Sequence, residues 1–139
     1  MDQEMSFPPR PLRGVRAVYA RQAGCPSDFA DVTVDFEPWE EGVAFESHAA
    51  LAIRGDADPQ EVAEYVTAAA DGIREELGAL AAESKVAVAV VLRAVGVHAV
   101  DSHPTAFRQA GRLAVRNALV LAYRPPPRPK RRRSAPQIR

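Results

Sequence analysis

The stretch Phe29-Ala30-Asp31-Val32-Thr33-Val34-Asp35-Phe36-Glu37-Pro38 decides the fold class. Val32, Val34 and Phe36 fall on one side of a period of two, and Thr33, Asp35 and Glu37 on the other. Successive strand side chains point to opposite faces, so this segment reads as a strand with one apolar and one polar face. Pro38 lacks the amide that a ladder needs and ends it.

Upstream, Gly14 to Gln22 carries Val15, Val18 and Tyr19 in a weaker alternation, a second strand. Gly24-Cys25-Pro26-Ser27-Asp28 is the turn between the two. Downstream, Glu40-Glu41-Gly42 turns the chain into a strand from Val43 to Ile53. Three strands on short links predict an antiparallel meander. Residues 1–12, with Phe7-Pro8-Pro9-Arg10-Pro11, read as a flexible leader.

A helix follows. Asp58-Pro59-Gln60-Glu61 supplies a capping carboxylate, a proline at the first helical position and a glutamate three residues after the cap. Val62, Val66, Ala69, Ile73, Leu77 and Leu80 then recur at helical spacing, so one stripe lies on a sheet. Lys85 to Val95 is nearly continuous Val, Ala and Leu; its length, β-branched content and place between two helices favour a central strand buried on both faces, with a buried helix as the alternative that period leaves open. Gly96 to Asp101 forms a loop, and a second helix starts near Ser102-His103-Pro104 with Ser102 as its cap. It turns Phe107, Ala110, Ala114, Ala118 and Leu121 inward, and Arg108, Arg112 and Arg116 make a basic stripe four residues apart. That stripe is either a solvated face paired with nearby acids or an RNA groove. The order is strand, strand, strand, helix, strand, helix: an α+β domain over residues 13–123.

Charge divides the chain. Residues 124–139 hold seven basic groups, Lys130, Arg131, Arg132 and Arg133 among them, and no acid. The preceding 123 residues keep 11 basic groups against 18 acidic ones, a net of −7. A basic, proline-rich tail of this composition is expected to be disordered and to bind polyanions by salt-sensitive attraction. No run of about 18 apolar residues offers a membrane span. The single cysteine, Cys25, has no internal disulfide partner, which points to a reducing cytoplasm.

Enzyme motifs fail on chemistry. A phosphate-binding loop needs a lysine after glycine, and neither Lys85 nor Lys130 follows one, so the chain is expected to bind no GTP. His98, Asp101 and His103 stand within six residues, but a metal site needs a further protein segment to complete four ligands. Ser102 with His98 and Asp101 names a triad only superficially, because such close neighbours rarely reach the geometry. The sequence therefore implies no catalytic residue, cofactor or metal.

Several short motifs occur in order. They are Arg21-Gln22-Ala23-Gly24, Phe29, Val32 to Pro38, Gly42, Phe45, Gly72-Ile73-Arg74-Glu75, His98-Ala99-Val100-Asp101-Ser102, Ala106-Phe107 and Ala110-Gly111. Across residues 14–122 the chain resembles domain IV of elongation factor G, as a stand-alone copy; the ribosomal-protection proteins against tetracycline have a similar domain. The resemblance implies a fold like domain 2 of ribosomal protein S5, a four-stranded sheet with two helices on one face and a left-handed βαβ crossover. It implies a tip that reaches the decoding site of the small ribosomal subunit, formed here by Arg21, Gln22, Gly24, Gly96, His98, Asp101 and Ser102. Where the family loop continues with glycine and a basic residue, this chain has Cys25-Pro26-Ser27-Asp28. The expected function is non-enzymatic ribosome or RNA binding through tip loops and tail. The alternative is a protein-interaction module that kept the fold and lost the ribosomal role.

Overall fold

Strand β3 (Asp28–Pro38) joins the apolar core to the open face of the sheet. Its Val32, Val34 and Phe36 are fully buried, as the alternation predicts. The computed structural model describes residues 6–21 and 28–123. The chain runs β1 (Ser6–Phe7), β2 (Leu12–Arg21), β3, β4 (Gly42–Arg54), α1 (Pro59–Ala81), β5 (Lys85–Gly96) and α2 (Pro104–Tyr123).

β2 pairs antiparallel with β3, matching Leu12 to Phe36 and Val15 to Val34. The meander ends there. β4 does not continue it: β5 pairs antiparallel with β3 and parallel with β4, so it lies between them. The composition explains the order. β5 is rich in Val and Ala and takes neighbours on both edges, whereas β4 is mostly exposed and suits an edge. The β4–α1–β5 unit is thus a parallel crossover, and the sheet is mixed.

Burial of β5 on both faces also needs correction. Val86, Val88, Val90 and Leu92 are buried, but the alternate residues Ala87, Ala89 and Val91 are only half-buried. Both helices cover the same side of the sheet, so the other side meets solvent except where its own side chains screen it.

The leader reading fails within the described residues. Ser6 and Phe7 pair in parallel with Lys85 and Val86. Phe7 is fully buried, its ring edge-on to Phe36 with centroids 5.7 Å apart. One large aromatic gains enough from burial, about 2–3 kcal/mol, to anchor a proline-rich segment.

α1 begins as its sequence predicts. Asp58 Oδ1 accepts from the Glu61 amide at 2.8 Å, and Glu61 Oε1 accepts from the Asp58 amide at 3.1 Å, a complete capping box with Pro59 behind the cap. Its buried face is centred on Tyr65, Ala69, Ile73 and Leu77, with Val62 outside it. α2 buries Phe107, Ala110, Ala114 and Ala118 and leaves Leu121 partly exposed. The two helices cross tightly through glycine. A β-carbon at Gly72 would stand 2.0 Å from the Arg108 carbonyl oxygen, and one at Gly111 2.3 Å from that of Ala69. No side chain fits in either place, which gives these two motif residues a packing role.

Candidate nucleic-acid interface

One end of the sheet gathers the end of β2, the start of β3 and the β5–α2 loop. Arg21 ends β2 and is exposed. Gln22 and Gly24 lie outside the described residues, as do Cys25 and the basic tail with Lys130, Arg131, Arg132 and Arg133.

The β5–α2 loop is held by its backbone. The Val97 amide donates to the Arg54 carbonyl at 2.8 Å, and the Phe29 amide to the Asp101 carbonyl at 3.0 Å. Ser102 is the staple. Its hydroxyl donates to the Phe29 carbonyl at 2.7 Å and accepts from the His98 amide at 2.9 Å. This corrects its reading as the cap of α2, because the first helical amides bond to the carbonyl of His103 instead. The hydroxyl closes the loop.

Tyr65 supports the loop from α1, and the periodicity of that helix gave no hint of it. Its ring stacks on Phe107 at 4.5 Å, and its hydroxyl donates to the Ser102 carbonyl at 3.2 Å. Burial and then the nearby acids Glu61, Glu64 and Asp58 push the phenol pKa up, which keeps the donor protonated. His103 Nε2 and Asp28 Oδ1 stand 2.6 Å apart and tie the start of α2 to the start of β3. His98 and His103 therefore meet different carboxylates. Among the described residues no three of His, Cys, Asp and Glu converge on a metal position.

Against this rigid frame, His98 and Val100 face outward. The His98 side chain is 57% exposed, with Nδ1 3.5 Å from Asp101, and Val100 is 83% exposed. Gly96 is buried and differs in kind. A β-carbon there would stand 2.9 Å from the Asp31 β-carbon, so its glycine serves close packing beneath the tip.

The basic stripe on α2 is paired. Arg108 bonds Glu75, Arg112 reaches Glu75 at 3.5 Å and Glu76 at 3.4 Å, and Arg116 reaches Glu76 at 3.1 Å. The stripe closes the α1–α2 seam, the solvated-face reading of the two offered by its spacing.

The open sheet face holds a charged set that strand reading missed. Asp31 and Asp35 on β3 are each 3% exposed. Asp31 binds Arg16 and Arg54, and Asp35 accepts from Arg93 at 2.6 Å and from the Gly14 amide at 2.8 Å. Glu37 pairs with Arg13 at its edge. Part of the signal was present: Asp31, Asp35 and Glu37 fall on one side of the period of two in β3, while their arginines come from β2, β4 and β5. Only the pairing register turns that pattern into contacts.

This architecture defines a class: a two-layer α+β domain with helices on one side of a mixed sheet and a backbone-pinned polar tip at one end. Comparison supplies the family. The family described as elongation factor G, domain IV, matches residues 9–123. Elongation factor G from Dehalococcoides mccartyi strain BAV1 is 34% identical over 106 residues, 75% of this chain and 15% of that protein. The strain 195 protein is 35% identical over 106 residues, with the same two shares. The crystal structure of ttk003000868 from Thermus thermophilus matches with a TM-score of 0.64 at 27% identity, over 81% of this chain and 16% of that one. The chain belongs to the elongation factor G domain IV family, and it spans about 15% of the length of these curated relatives. No helix among the described residues is long and apolar enough to cross a membrane.

Proposed function

We propose that this chain is a non-enzymatic factor of translational type that binds the ribosome, in its small-subunit decoding region, or RNA. Contact is made through the tip, Arg21 and His98 foremost, and through the basic tail, in the cytoplasm. The pinned β5–α2 loop carries this reading. Its fold contacts are made by backbone groups and by Ser102, so the His98 ring and Val100 are left for a partner. A pinned loop that presents an imidazole suits the wide minor groove of A-form RNA, where shape and 2′-hydroxyl contacts dominate. The tail adds up to seven cationic contacts that do not depend on base sequence. The domain carries no phosphate-binding loop, so any GTP-driven step belongs to another polypeptide or another domain.

The test is sedimentation with purified ribosomes and separated subunits at low and moderate salt, with and without residues 124–139. The full chain is expected to co-sediment with the small subunit. Removing the tail should weaken binding and flatten its salt dependence, each lost phosphate contact taking about 0.7–0.9 from the slope. If neither form associates even at low salt, the reading fails.

One observation favours a protein-interaction module instead. Trp39 is 59% exposed beside a groove of about 240 Å³ whose lining includes Ala44, Ala89 and Val91 on the open side of the sheet. Exposed tryptophan is enriched where proteins meet. This second reading gains if ribosomal particles leave the protein in the supernatant.

A further inference from the structure

On the open face of the sheet one carboxylate holds two guanidinium groups. Asp31 is nearly inaccessible, and its Oδ2 accepts from Arg16 Nη2 on β2 at 2.7 Å and from Arg54 Nη2 on β4 at 2.9 Å. Arg16 Nε adds a bond to Oδ1 at 3.0 Å. Two guanidinium groups therefore meet one carboxylate, and among the described residues neither forms an ion pair with any other acid. The other pairs on this face are one to one, Arg93 with Asp35 and Arg13 with Glu37.

The layering matters as much as the count. The negative group is buried at 4% side-chain exposure, while the two arginine side chains are 60% and 55% exposed. A guanidinium has five N–H donors. Arg16 uses two of them on Asp31 and Arg54 uses one, so most are left for a ligand. Two like charges held on one oxygen repel, and a bound anion would relieve that repulsion. Phosphate oxygens match the planar fork of guanidinium donors better than they match any other cationic side chain.

We propose that Arg16 and Arg54, held side by side on Asp31, bind a phosphodiester group of RNA. Position selects RNA over a free anion. Arg54 is the residue whose carbonyl holds the Val97 amide, so the pair lies immediately beneath the tip loop. A strand engaged by His98 has its backbone within a few nucleotides of the pair. The choice of RNA rests on the tip-binding reading; the phosphate chemistry rests on the pair alone.

The structure also makes the test clean. Removing one arginine leaves Asp31 with the other, so the buried carboxylate keeps a partner and the fold is retained. Anisotropy titrations with a labelled RNA hairpin, over a series of salt concentrations, would compare Arg16→Gln, Arg54→Gln, Arg54→Lys, Arg93→Gln and His98→Ala, with thermal midpoints confirming folding. Arg16→Gln and Arg54→Gln are each expected to lose about tenfold in affinity, the measure of one charge-assisted hydrogen bond. Each should also make the salt slope shallower by about 0.7–0.9. Arg54→Lys should keep the slope, and Arg93→Gln should change neither quantity. Wild-type affinity and slope in both glutamine variants would overturn the proposal. So would displacement of the hairpin by inorganic phosphate equally from wild type and Arg54→Gln. The two readings separate: loss in His98→Ala alone removes the arginine pair and keeps the tip, whereas loss in Arg54→Gln alone keeps the pair and removes the tip.

Discussion

Two sets of arginines face outward on opposite sides of this domain, and they differ in where their carboxylates sit. On the helix side, Arg108, Arg112 and Arg116 meet Glu75 and Glu76, whose side chains are 35% and 20% exposed. Asp71 adds only a weaker attraction on Arg108. On the sheet side, Asp31 and Asp35 lie beneath their arginines with 4% of their side chains exposed. The first arrangement presents a mixed surface with both signs exposed. The second presents guanidinium and hides the acid. A count of arginines along the sequence treats the two alike, and the depth of the partner decides what a ligand would meet.

The largest expected effect follows from that depth. Asp31→Ala removes a carboxylate that holds three hydrogen bonds from two charged groups and that fills the space beside Gly96. Its stranded arginines are half-exposed and can rehydrate, so the cost falls below that of a fully buried broken pair, at about 2–3 kcal/mol. Glu76→Ala should shift the urea midpoint far less, because its arginines keep Glu75 and solvent. Equal losses in the two variants would break the comparison.

A local carboxylate calibrates the scale between these extremes. Asp58→Ala removes the capping box of α1 and should cost about 0.5–2 kcal/mol by denaturant unfolding. An unchanged midpoint would mean that Pro59 and the tertiary packing hold the helix start alone.

Locality also sorts what the sequence could say. The capping box was legible because all its parts lie within four residues, and β3 was legible because period two is written along one strand. Pairing was not. Nothing in β4 says that its neighbour is β5 rather than β3; that depends on which strand most needs two edges, a comparison across some forty residues. Phe7 was misread because three nearby prolines mark an extended leader, while one buried ring outweighs them. The tip was legible in part. The His98 loop was visible as a motif, but the role of Ser102 depends on Phe29, which is 73 residues away. The Arg16–Asp31–Arg54 cluster needs the register of four strands at once, because β5 lies between Asp31 and Arg54.

Acid sharpens the comparison at smaller cost. The Arg108 hydrogen bond holds Glu75 below the ordinary carboxylate range, against some burial and aided by the charges of Arg108 and Arg112. For Glu76 burial is the largest single influence and acts upward, but the hydrogen bonds and charges of Arg116 and Arg112 together outweigh it and the pKa is lowered. A carboxylate lowered on folding contributes stability that is complete above its unfolded value, about 4.3, and is lost as pH falls through the folded one. The stability of the wild type should therefore fall more steeply below that value than the stability of a Glu75→Gln/Glu76→Gln variant, while the two curves run parallel from about pH 5 to 7. Urea midpoints across the acid range measure this. Parallel curves throughout would show that the seam is held by helix packing around Gly72 and Gly111, with the ion pairs incidental.

The smallest expected effect on stability belongs to His98→Ala, and its smallness is what makes it informative. The fold uses the His98 backbone: its amide donates to Ser102 Oγ at 2.9 Å, and its carbonyl accepts from the Ser102 amide at 3.0 Å. The imidazole contributes only a tilted approach to Phe29 at 6.2 Å and the 3.5 Å approach to Asp101. Alanine keeps every backbone bond, so the midpoint should move by less than about 0.5 kcal/mol. RNA affinity should fall with almost no change in salt slope if the ring acts through shape and hydrogen bonding, which release no counterion. That pattern is the reverse of Asp31→Ala, where stability is lost first. A drop in stability comparable to that of Asp58→Ala would show that the ring holds the loop in place. A slope change of about 0.7–0.9 would show that the imidazole binds as a cation, and the tip would then read phosphate charge as the sheet face does.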